Sequence, residues 1–181
     1  MALSVLSTFT RPEQENIVLK TLSGFLDEAT QSGRMQSFFS SFTEAVAHVL
    51  VAGDDEQRVT MLIQLISKFI VSNNNQNEQK KFSFAESFVA FLCSQASAAH
   101  SSVRYHALEL IGEILKRLGT EIDYHFTTVD LIQKALLART SDSKVTVRRM
   151  AAFAAHKLQQ PHLGLGCPVI CSYIKMLQDN E

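Results

Sequence analysis

His162, Cys167 and Cys171 are residue types that hold transition metals, and the two cysteines stand one helical turn apart. A structural zinc site takes four ligands in tetrahedral array, and this spacing offers no fourth, so no metal is expected. Gly164-Leu165-Gly166 precedes a helix, but it lacks the leading strand and third glycine that turn a dinucleotide loop toward a pyrophosphate. It reads as a linker. His48, His100, His106, His125 and His156 are scattered, without an acid or nucleophile at a spacing that would poise them. No isolated carboxylate pair lies in an apolar run where two acidities would be driven apart. The chain therefore reads as a non-enzyme with no catalytic residue, no cofactor and no small-molecule substrate.

What does recur is an arginine. Ser102-Val103-Arg104-Tyr105-His106-Ala107-Leu108 returns forty-four residues on as Thr146-Val147-Arg148-Arg149-Met150-Ala151-Ala152. A period of about 40–47 residues belongs to arrays of helix pairs of the HEAT and armadillo type, in which no single pair can bury its own apolar face. Asp142, six residues before Arg148, falls in the turn between two helices, while Arg148 falls in the first turn of the second. Arg148 is expected to pair with Asp142 or with a neighbouring repeat's carboxylate, because its planar fork offers several donors in fixed geometry. The first copy has Ala98 at the matching place, so Arg104 must find another partner. Arg104, Asp142 and Arg148 are read as rungs of a structural ladder.

The elements that carry these residues are helices. Thr10-Arg11-Pro12-Glu13 reads as a capping box with proline in the first turn, ahead of a stripe of Ile17, Leu19, Leu22, Phe25, Leu26 and Ala29 that ends near Gly33. Apolar spacings of three and four give a second helix through Met35, Phe38, Phe42, Val46 and Leu50. A third, capped by Asp54 or Asp55, runs through Val59, Leu62, Ile66 and Ile70, and a fourth carries Phe84, Phe88 and Phe91. The fifth starts at Ser101 or Ser102 and closes at Gly119; the sixth follows Thr127 or Thr128; the seventh ends at Pro161; Pro168 opens the eighth. The phenylalanines at helical spacing are core, and Ala151, Ala152, Ala154 and Ala155 allow a second helix to approach closely. Residues 72–81 have almost nothing to bury and are expected to form a flexible loop, as 159–167 form a linker. The prediction is all-α, a HEAT-type α-solenoid of about four antiparallel helix pairs, with residues 1–181 as a single segment.

Composition agrees. Of the 181 residues, 46% are hydrophobic and 19% charged, with few glycines and prolines, as a packed helical chain requires. Three cysteines are too few for a disulfide framework, no basic start precedes an apolar core, and no apolar run is long enough for a membrane span, so no membrane partner is expected. Net charge is −1, which lacks the strongly basic signature of a dedicated nucleic-acid module. The charge is uneven: residues 1–60 hold four Lys/Arg against eight Asp/Glu, and residues 61–157 hold twelve against eight.

From Ser102 to Glu181 the chain resembles the condensin subunit 3 family, one of the non-SMC components of condensin. The match rests on Ser102-Val103-Arg104-Tyr105 with Leu110-Ile111-Gly112-Glu113-Ile114-Leu115, on Glu121-Ile122-Asp123, on Ala135-Leu136-Leu137-Ala138-Arg139 running to Lys144-Val145-Thr146-Val147-Arg148, and on Ala152-Phe153-Ala154-Ala155-His156-Lys157-Leu158-Gln159. Cys167-Pro168-Val169 and Asp179-Asn180-Glu181 continue it; the first hundred residues match in helix order. The resemblance implies the amino-terminal arm of a much longer HEAT-repeat subunit, with the kleisin subunit and other condensin subunits as partners. It further implies that the inner helices line a groove for an extended kleisin segment and that the two together grip double-stranded DNA in mitotic chromosome condensation, in the nucleus and on chromosomes with a cytoplasmic pool.

One departure bears on DNA. Where relatives carry a basic turn, this chain reads Val51-Ala52-Gly53-Asp54-Asp55, which repels phosphate. DNA contact is therefore expected to be weak and to fall to Lys116, Arg117, Arg139, Lys144 and Arg149. The residues alone also admit a generic HEAT or armadillo adaptor that binds a peptide or helical protein without nucleic acid, or a regulatory subunit of an enzyme complex.

Overall fold

The computed structural model describes residues 2–51, 55–73, 84–119 and 129–178, with the side chains of Ala2 and Leu3 excepted. Its helices are α1 (Ala2–Thr8), α2 (Glu15–Gln31), α3 (Met35–Val51), α4 (Glu56–Ser72), α5 (Phe84–Gln95), α6 (Ser101–Leu118), α7 (Val129–Arg139), α8 (Val145–Ala155) and α9 (Pro168–Gln178). Among the described residues there is no strand.

The helices stack in two rows. α2, α4, α6 and α8 pack side by side in chain order, with α6 held between α4 and α8. α1, α3, α5, α7 and α9 form the other row, and each hairpin α1/α2, α3/α4, α5/α6 and α7/α8 spans the two. This is the all-α HEAT-type solenoid expected from the arginine period. The forty-four-residue repeat places α6 and α8 in equivalent positions, which is why the same residue types recur at their starts.

The core follows from the spacing of apolar side chains. Val18, Leu22, Leu26 and Ala29 form the buried stripe of α2, so the register differs from the expected one at its start: Ile17 is 70% exposed. Phe42, Phe69, Phe84 and Phe88 are all buried, with ring centroids 5.3 Å apart between Phe42 and Phe69 and 5.9 Å between Phe69 and Phe84, in tilted and edge-on arrangements that suit aromatic quadrupoles.

The ends of the elements show which local signals acted. Asp55 Oδ1 accepts the Arg58 amide at 2.9 Å and caps α4, as expected. Gly33 (φ 70°) follows α2 and Gly119 (φ 60°) closes α6, both in the region only glycine adopts without strain. At residues 10–14 the capping box differs from the expected one: Gln14 Oε1, not Glu13, accepts the amides of Thr10 and Arg11 at 2.9 and 3.1 Å. Pro12 opens a short 3-10 turn there. α6 starts at Ser101, as expected, and His100 precedes it without a side-chain cap. α1 has no counterpart in the sequence pattern; it completes the first hairpin, where Leu6 and Phe9 are buried.

Residues 161–166, expected as a linker, form 3-10 turns broken at Gly164 (φ 50°). Cys171 Sγ donates to Leu165 O at 2.8 Å and holds this stretch against α9. Of the loop expected over 72–81, Ser72 belongs to α4 and Asn73 follows it in a turn; residues 74–83, the Thr127/Thr128 cap and Gly53 lie outside the described residues.

Candidate functional site: the arginine ladder and the exposed face of α8

The turn between α7 and α8 is where charged groups converge. Arg104, in the first turn of α6, donates through Nε and Nη2 to Asp142 Oδ2 and Oδ1, both at 2.8 Å. The pair is buried, with side chains 10% and 2% exposed. Such a parallel fork is the strongest geometry two ionised groups adopt. The Asp142 carboxylate also accepts the Lys144 amide at 3.0 Å and, more weakly, Arg139 Nη1 at 3.4 Å. Hydrogen bonding from Arg104 holds the Asp142 pKa below the ordinary carboxylate range, against the opposing effect of burial.

Here the geometry departs from the expected pairing. The Asp142 carboxylate reaches back to the arginine of the preceding repeat, and Arg148 Nη1 instead donates to the Asp142 main-chain carbonyl at 2.7 Å. Arg104 does the same in its own repeat, giving Nη1 to Ala98 O and Ala99 O at 2.9 and 2.8 Å. Both arginines thus tie the carbonyl six residues upstream to the start of the second helix. A carboxylate is not needed at position 98 for that bond; it is needed at 142 to join two repeats.

The five cations expected to meet DNA differ in what already engages them. Lys116 Nζ lies 3.1 Å from Glu113 Oε1 on the same helix. Arg117 turns back to α4, where its Nε donates to the buried Ser67 Oγ at 2.7 Å. Arg139 is drawn to Asp142, and its Nε is buried with no hydrogen-bond partner. Lys144 and Arg149 remain, both exposed, at the start of α8. Farther along the same helix Phe153 is 62% exposed, and Lys157 is exposed in the 3-10 turn that continues it. Neither residue is marked by sequence spacing alone; superposing the two repeats would have singled them out, since they fall on Glu109 and Glu113.

The remaining titratable groups point to structure. Burial pushes the Cys93 thiol up to about 11, which leaves it a packed, protonated side chain. Cys167 accepts the Gln160 amide at 3.4 Å at the start of α9, and chiefly that bond holds its pKa below the ordinary thiol value. His106 Nδ1 meets Glu109 Oε2 at 3.1 Å. No group of three or more His, Cys, Asp or Glu side chains gathers closely enough for a metal ion among the described residues, and no helix among them is long and apolar enough to cross a membrane.

Comparison with known proteins agrees with the resemblance seen in the sequence. The chain is similar to condensin complex subunit 3 of Homo sapiens, with 25% identity over 149 residues, and of Xenopus laevis, with 26% over 150 residues. The similarity covers 80% of the chain in both, so it extends past the segment that starts at Ser102. The chain spans 15% and 14% of the lengths of these relatives. In fold it matches a chain in the crystal structure of the S. pombe condensin Cnd3-Cnd2 subcomplex, with a TM-score of 0.72 and 15% identity, covering 99% of this chain and 22% of that one. No protein-family profile matches.

Proposed function

We propose that this chain is a non-catalytic HEAT-repeat arm of a condensin-type complex that acts on chromosomes in the nucleus and holds the kleisin subunit against the row α2, α4, α6 and α8. The observation that carries this reading is the similarity to condensin complex subunit 3 over 80% of the chain, joined to a fold match with a chain from a two-subunit condensin subcomplex. The arginine ladder supplies what such an arm needs mechanically. A groove keeps its shape only if successive repeats keep their angle, and the Arg104–Asp142 fork fixes α6 against the α7–α8 turn. With the kleisin subunit in place, duplex DNA is gripped through phosphate, chiefly by Lys144 and Arg149.

Co-purification tests this reading. The purified chain should capture the kleisin subunit, and charge reversal at exposed positions of α2, α4, α6 and α8 should weaken capture while reversal on α3 or α5 should not. If the chain ignores kleisin while a longer relative captures it, these repeats lack the site. For DNA the expectation is weak, sequence-indifferent binding that falls steeply with salt, since phosphate neutralisation is its driving force. Lys144→Glu and Arg149→Glu should each lower the salt slope by about one unit. Sequence-selective binding, or binding untouched by these reversals, would contradict the proposed contact.

A further inference from the structure

We draw no further inference here: the strongest candidate, the cavity of about 210 Å³ between α2 and α3 lined by Phe25, Glu28, Ala29, Arg34 and Phe38, carries nothing because nothing in the structure shows what covers it.

Discussion

Among single residues, the fork between Arg104 and Asp142 is the interaction on which most depends, because neither group can be removed without stranding the other's charge in a dry place. Asp142→Asn is expected to cost about 3 kcal/mol of folding stability, read by chemical denaturation. Arg148→Ala should cost less, about 1.5 kcal/mol, since the bond it loses goes to a carbonyl on a half-buried surface. Equal costs would mean that burial of the fork contributes nothing. The sign of the pH dependence follows from Asp142. Its pKa is depressed in the fold, so in acid the unfolded chain binds the proton more readily. The contribution is complete above the unfolded value of about 3.9 and is lost as pH falls through it toward the folded value. The Asn variant should therefore lose less stability than the parent between about pH 5 and pH 3. That Asp142 and both arginines act in the repeat junction can be read from their spacing. Which carboxylate oxygen meets which guanidinium cannot, because a sequence period locates residues along the chain and carries no information about how far one repeat is rotated over the next.

The helices divide in a similar way. The long α3, α4 and α6 are legible because each repeats its apolar spacing over four or more turns. α1, seven residues long, has too few turns to show a period and is held by Leu6 and by Phe9 just beyond it, both in the tertiary core. At the start of α2 the apolar pattern misleads by one residue, since Ile17 and Val18 are equally apolar and only packing against α3 and α4 decides between them. Close approach is the other feature that helices contribute. A Cβ built on Gly112 would lie 3.3 Å from Ala154 Cβ, so α6 and α8 meet through two small residues. Gly112→Leu is expected to destabilise by about 2 kcal/mol through overpacking. Gly24→Ala, in mid-helix with nothing within 4 Å of the added methyl, should stabilise by about 0.5–1 kcal/mol. Thermal melts of the two variants should move in opposite directions.

Over the full chain, charge is uneven along the sequence: acid concentrates before residue 60, and the last described helices are basic. The solenoid and its likeness to condensin complex subunit 3 can be seen from the ordered blocks after Ser102, whereas the basic face of α8 cannot, because an exposed ring and a buried one look alike in a string of residues. The proposed function turns on whether the row α2, α4, α6 and α8 holds another condensin subunit. Hydrogen exchange of the chain, alone and with the kleisin subunit, addresses that question helix by helix. Protection should rise across Glu15–Gln31, Glu56–Ser72, Ser101–Leu118 and Val145–Ala155 and stay unchanged in the other row. Protection confined to Met35–Val51, Phe84–Gln95 and Val129–Arg139, or no change in any helix, would contradict it.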